Sequence, residues 1–432
     1  MRELLCVMGK WSRVSQLFPF GAGRSAKRCV AGLCLMAGLP VLAQQIDGTQ
    51  GIRRQHGAPP RVVGYFPQWG VYGNFFVKNL VTSGSAEVLT QVDYAFAKLE
   101  NNQCASSDPW ADFQKPLTAD EAIGGVADSV APGAFVGNFH QLQELKRRYP
   151  RLKVVISIGG GSANPADFSI AAEPANRQQF VKSCVDMFIK GNFAPGVAQA
   201  GIFDGFDIDW EYPGSVVDEA NFTALLAEFR SQMDAARPGM TLSIASSAGH
   251  WAYQYIDFKN VQPSLDFFGL MAYDFDGPWM KATGFVAPLF QAKGDPLPAN
   301  NAAAAVSAYL AAGVSPDKIV LGVPFYGYEW TDVPNVNHGL FQPGTPVGQG
   351  AGYNAIVPIE KDYVRYRDPV TQEPWLYDGK TFWTYDDPVS LAYKMLYVRE
   401  EKLGGVMAWS LSDDTPNGVL LKTVAWTLMF PF

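Results

Sequence analysis

The chain has 432 residues, enough for two or three average domains or for one large α/β barrel with additions. Apolar residues make up 48% and charged residues 17%, so a large core is possible and global disorder is excluded. Lys and Arg total 34 against 41 Asp and Glu, a net charge of −7 that argues against a protein reading nucleic-acid backbones.

At the N-terminus, Arg24, Lys27 and Arg28 precede an apolar run over residues 29–42, which closes on Val41-Leu42-Ala43. A basic flank, a short apolar stretch and small residues before a cut describe a secretory signal peptide over 1–43. The run is shorter than the roughly 20 residues of a spanning helix; a buried helix or short membrane anchor is the alternative. Residues 1–43 hold six basic groups and one acidic group, so the chain beyond them stands at 28 − 40 = −12. The expectation is an acidic protein, secreted to the periplasm or the medium, monomeric, and free of the membrane once the leader is cut. Residues 44–60 read as a disordered spacer.

Short β-rich runs then alternate with helical patterns. The runs are Val62–Phe66, Val92–Phe96, Lys153–Ile158, Gly205–Trp210, Thr241–Ser246, Phe267–Tyr273, Lys318–Val323 and Gly405–Trp409. Between them, residues 138–149, 174–190, 216–236, 300–313 and 387–402 carry helical spacing, clearest in Phe222, Leu225, Leu226, Phe229 and Met233. Eight strand–helix units imply parallel pairing through right-handed crossovers, hence an α/β fold of (β/α)8 barrel type over 61–327 and 383–430. Residues 328–382 break the rhythm with Pro, Gly and aromatics, and predict a small α+β insertion subdomain. The connection 98–137 is long and decorates the same rim. No second module is expected after the barrel.

Cys104 and Cys184 are the only cysteines beyond the leader. An oxidising destination permits a bridge, but Cys184 falls on an apolar helical stripe with Phe180, Met187 and Phe188 and reads as a buried free thiol. The four histidines are scattered without an HExxH pair, and no phosphate-cradling loop or nucleophile elbow appears, so neither metal nor cofactor is expected.

The chemistry concentrates in 203–214. Asp207, Asp209 and Glu211 alternate with Ile208 and Trp210, so on a strand the three carboxyls share one face. Inside a barrel these acids repel each other and are penalised by desolvation, which drives their pKa values apart. Glu211 comes last, toward the C-terminal end where barrel active sites lie. Asp204 has the opposite parity and reads as structural. A calcium loop would need polar spacers and a sixth-position Gly, and a solvated edge strand would not interleave Phe206, Ile208 and Trp210. A catalytic carboxylate array fits best.

This array, Asp204-x-x-Asp207-x-Asp209-x-Glu211, resembles the signature of glycoside hydrolase family 18, the chitinase family. Gly64-Tyr65-Phe66 with the following Gln68–Gly73 loop, Tyr94-Ala95-Phe96, Ser157-Ile158-Gly159-Gly160, Met271-Ala272-Tyr273-Asp274, Pro324-Phe325-Tyr326-Gly327 and Met407-Ala408-Trp409-Ser410 resemble family motifs in family order. The likeness runs over roughly 62–425.

The resemblance implies substrate-assisted hydrolysis of chitin or chito-oligosaccharides, with Glu211 as acid/base and the substrate's acetamido oxygen as nucleophile. Asp209 would orient the acetamido group, and Asp207 would share its charge, held by Tyr65 and Ser157. Tyr273 would donate to the acetamido oxygen, with Met271 and Asp274 beside it. Phe96, Tyr326, Trp409 and Trp279 would meet the sugars, the last two being equally readable as core. Two positions depart from the pattern. Gly161 stands where an aromatic often follows the third-strand glycines, and Tyr328 where Arg or His is frequent. The rivals to a chitinase are an endo-β-N-acetylglucosaminidase with the same machinery and a non-catalytic chitin-binding lectin. Tyr353, Tyr363, Trp375 and Tyr377 of the insertion are expected to wall the cleft, or else to fill the insertion's own core.

Overall fold

A strand whose both faces are covered must carry apolar or satisfied polar side chains on each, and the eight runs do. In the computed structural model, which describes residues 59–430, they form β1 (Arg61–Pro67), β2 (Gln91–Glu100), β3 (Lys153–Gly159), β4 (Gly205–Asp209), β5 (Thr241–Ser247), β6 (Phe267–Met271), β7 (Ile319–Pro324) and β8 (Gly405–Trp409). The predicted leader 1–43 and all but the last two residues of the spacer 44–60 lie outside the described residues. Each strand pairs in parallel with its neighbour. β1 pairs with β2 through Tyr65 opposite Asp93 and with β8 through Val63 opposite Met407, which closes the barrel.

Helices cover the outside. Ser215 caps the helix Val216–Ala236, its Oγ accepting from the Asp218 amide at 3.1 Å, as the sequence pattern predicts for 216–236. Phe222, Leu225, Leu226, Phe229 and Met233 are buried on that helix, and Phe229 meets Phe206 of β4 with ring centroids 5.3 Å apart. Burying a ring of this size contributes about 1.5–3 kcal/mol. Because Phe206 and Ile208 face this layer, strand alternation turns Asp207 and Asp209 inward. No helix among the described residues is long and apolar enough to cross a membrane.

The expected free thiol is not found. Cys104 and Cys184 form a disulfide, with Cα atoms 4.9 Å apart. Cys184 does lie on the apolar face of the helix Arg177–Cys184, but β2 continues past the barrel rim into a hairpin with Gln103–Ser106. That hairpin lays Cys104 onto the helix end, where its amide donates to Ser183 Oγ at 2.9 Å. Closing a loop with a sequence separation of 80 restricts the unfolded chain by about 4.5 kcal/mol in the chain-entropy account.

The insertion is a five-stranded antiparallel sheet built from Tyr326–Thr331, Thr345–Gly352, Val364–Arg367, Pro374–Tyr377 and Phe382–Tyr385. It therefore starts just after β7 and ends just before the helix Pro388–Glu400. Trp375 and Tyr377 pack with Trp330, Phe382 and Leu340 of the insertion and with Phe285 and Val286 of the β6–β7 connection. The buried Lys394 of that helix pairs with Glu373 at 2.8 Å and with Asp386, tying insertion to barrel.

Candidate active site

Register places the acids. Asp207 of β4 lies opposite Ser157 of β3 on one side and Ser243 of β5 on the other. Its Oδ2 accepts from the Tyr65 hydroxyl and from Ser157 Oγ, each at 2.8 Å, and its Oδ1 accepts from Ser243 Oγ at 2.8 Å. Asp209, one pleat further along the same face, is held differently. Its Oδ1 is buried and has no hydrogen-bond partner among the described residues. Glu211 lies beyond the strand end and is only half-buried.

The electrostatics follow from these contacts. Burial pushes the Asp207 carboxyl up, while its three hydroxyl donors pull it back down. Asp209 has no such donor, so burial and then the neighbouring Glu211, Asp207 and Asp93 hold it well above the ordinary carboxylate range. Glu211 is raised mainly by burial, opposed by a hydrogen bond from Tyr212 and reinforced by Asp274. Of these acids Asp207 is the one whose anion is best supplied with donors, while burial and like charges push Asp209 and the deeper Asp93 most strongly upward.

The mouth is a cavity of about 1070 Å³ at the C-terminal end of the strands, lined among others by Tyr65, Phe96, Asp209, Glu211, Met271, Tyr273, Asp274, Trp279, Tyr326 and Trp409. Ten of the twelve residues singled out in the sequence thus reach it, while Ser157 and Asp207 sit beneath. Among the described residues, the Tyr273 hydroxyl makes only a 3.7 Å contact to the Met407 sulfur, a weak acceptor. Trp409 is half-buried, stacked on Phe96 with centroids 5.6 Å apart and tilted against Tyr65. Trp279 is 56% exposed, so both indoles are cavity surface and not core.

The expected aromatic wall from the insertion is corrected here. Tyr353, Tyr363, Trp375 and Tyr377 do not line the cavity. Trp375 donates to the His338 carbonyl at 3.0 Å and Tyr377 to the Val333 carbonyl at 2.9 Å, inside the insertion's own core. An isolated sheet must bury one face before it can offer another, and these rings do that. The insertion reaches the cavity through its first strand instead. Tyr326 and Tyr328 donate to Asp274 Oδ1 at 2.6 and 2.8 Å, and Tyr328 meets Trp279 edge-on with centroids 5.7 Å apart.

Residues 61–414 match the profile described as glycosyl hydrolases family 18. The chain belongs to glycosyl hydrolases family 18. It is 34% identical over 370 residues to Chitinase C of Streptomyces lividans, a match covering 82% of this chain and 58% of that protein. The chain thus spans less than two thirds of that relative's length. The catalytic domain of psychrophilic chitinase B from Arthrobacter TAD20 superposes with a TM-score of 0.79 at 36% identity, covering 86% of this chain and 97% of that one. A family 18 N-acetylglucosaminidase from Paenibacillus barengoltzii gives a TM-score of 0.69 at 31% identity, over 85% and 100% of the two chains.

Within this family 18 barrel, sequence reasoning missed four residues. Ser243 completes the Asp207 shell, and its signal was a lone Ser at the right strand position. Asp93, buried on β2 and held by Gln91 Nε2 at 2.6 Å, is a fourth acid beneath the array. Tyr212 bonds Glu211, and Trp251 lines the cavity from the short helix His250–Tyr253 after β5. Among the described residues, no three of His, Cys, Asp and Glu are grouped so as to hold a metal ion.

Proposed function

We propose that the chain is a chitinase that hydrolyses β-1,4-linked N-acetylglucosamine polymers with retention, using the substrate's acetamido group as nucleophile. One observation carries the reading. Asp209 presents a buried oxygen without a donor at the cavity, next to a protonatable Glu211, while Asp207 behind it is saturated with donors.

In the proposed reaction Trp409 floors the sugar ring and Asp209 accepts the acetamido N–H. Tyr273, uncommitted to any strong acceptor, donates to the acetamido oxygen. That oxygen attacks the anomeric carbon as Glu211 protonates the glycosidic oxygen and the leaving sugar departs. The charge that develops on the oxazolinium ion falls against Asp209 and, through it, the anion on Asp207. Glu211, now a carboxylate, takes a proton from water. The water oxygen opens the oxazolinium from the opposite face, and the product is the β-anomer.

Export is part of this proposal. It is supported by the leader pattern over 1–43 and by the Cys104–Cys184 bridge, since disulfides persist in oxidising compartments. The discriminating experiment assays chito-oligomers beside a high-mannose glycoprotein. Chito-oligomer cleavage is expected. Glycan release from the glycoprotein alone would assign the groove to an endo-β-N-acetylglucosaminidase, and binding without turnover would assign it to a lectin.

A further inference from the structure

Glu211 marks the bond to be cut, because the acid must reach the glycosidic oxygen. Trp409 projects from β8, on the far side of the barrel from β4, so groups beyond Glu211 as seen from Trp409 meet the departing end of the chain. The position that often carries an aromatic there is bare. A Cβ on Gly161 would stand 3.2 Å from Glu211 Oε1, so any side chain at 161 presses on the acid itself.

The opposite wall holds an indole that nothing above uses. Trp251, on the one-turn helix His250–Tyr253 after β5, is 67% exposed and lines the same cavity. Its ring meets Tyr212 edge-on, with centroids 5.2 Å apart at 90°, and Tyr212 is hydrogen-bonded to Glu211. The indole lies folded over the backbone of Gly249, where a Cβ would stand only 2.4 Å from its Nε1. Trp279 lies over Gly277 in the same manner. Two large rings are therefore exposed to solvent yet seated on bare glycine backbone and on a tyrosine edge. Such seating pre-pays the ordering of a side chain that meets a ligand.

We propose that Trp251, seated on Gly249 and Tyr212, is a platform for the leaving-group end of the polymer, taking over the stacking that Gly161 cannot provide. The inference rests on the functional reading above. The apolar face of a pyranose ring covers the indole face, while Gly161 leaves Glu211 open on the other side for the glycosidic oxygen and then for water.

The test measures chitohexaose affinity by calorimetry in a Glu211→Gln background, and kcat/KM with the bond cut in the active protein. Trp251→Ala should weaken hexamer binding about three- to ten-fold, the scale of one aromatic contact, and should move the cut toward shorter leaving fragments. Gly249→Ala should do the same with the indole still present. Gly249 has φ −86° and ψ 129°, which alanine adopts freely, so only the ring is displaced. Trp251→Phe should restore most of the loss. Wild-type affinity and an unchanged cleavage pattern in both Trp251→Ala and Gly249→Ala would overturn the proposal. A wild-type protein that cuts no chito-oligomer would instead overturn the functional reading, so the two failures are distinct.

Discussion

Asp207 and Asp209 stand on the same face of one strand and are held in opposite ways: Asp207 accepts three hydroxyl hydrogen bonds, while Asp209 leaves a buried oxygen unpaired among the described residues. Donors pull the Asp207 pKa back down against burial, whereas Asp209, without them, is held well above the ordinary carboxylate range by burial and its acidic neighbours. A gradient of this kind lets the acetamido N–H find an acceptor that water has not already satisfied.

Ser243→Ala tests this gradient. It removes the one donor on Asp207 Oδ1, so the Asp207 pKa rises further. A hydrogen bond to a charged group is worth about 1.5–3 kcal/mol, so the acidic limb of the kcat/KM profile should move up by about one to two pH units. A pH–rate series reads this directly, and an acidic limb that stays in place would mean that Asp207 does not need its anion.

Glu211→Gln should lower kcat by about 10²–10⁴-fold while sparing chitohexaose affinity, since it removes a proton and almost no bulk. Steady-state kinetics with calorimetry separate the two. Near wild-type turnover would remove Glu211 from the mechanism.

Asp112 makes a prediction about stability. It is buried under the loop that carries Trp69, accepts from Gln68 at 2.6 Å and from Tyr94, and bonds Ser106. Burial raises its pKa to about 7 from an ordinary 3.8, so the folded state holds a proton that the unfolded chain releases between those values. That stability is fully present below about pH 4 and is lost as pH rises through 7. Asp112→Asn keeps the protonated pattern, with its amide donating to Ser106. Denaturant unfolding should find the stability advantage of Asp112→Asn over wild type growing by about 2–3 kcal/mol between pH 5 and pH 8. Equal stability at both pH values would show that Asp112 is already ionised at little cost.

Cys104→Ala with Cys184→Ala should lower unfolding free energy by about 2–4 kcal/mol. Activity at 25 °C should hold, because the bridge ties the rim hairpin to an outer helix and touches no cavity residue. Unfolding in denaturant with and without the bridge gives the value, and a loss of activity without a loss of stability would place the bridge in the site's support.

Much of this was legible in the sequence because barrel chemistry is written in short-range patterns. The alternation of Asp207, Asp209 and Glu211 with buried apolar residues is enough to put three acids on one face, and the helix at 216–236 follows from one apolar stripe. What escaped depends on contacts across the chain. Ser243 matters only because register sets it opposite Asp207. Cys184 looked like core because it is core; its partner arrives on a hairpin that extends β2, which no local pattern announces. Trp375 and Tyr377 carry the composition of a binding wall, but a small sheet first spends its rings on its own burial. Trp251 gave no signal at all, since an exposed indole on a one-turn helix has no period to read.

The most direct test follows chitohexaose and its fully N-deacetylated counterpart by proton NMR under identical conditions. The account predicts that the acetylated hexamer is cut with the β-anomer appearing first, and that the deacetylated hexamer, lacking the oxygen that attacks the anomeric carbon, is not cut above background. Comparable cleavage of both, or the α-anomer as first product, would contradict it.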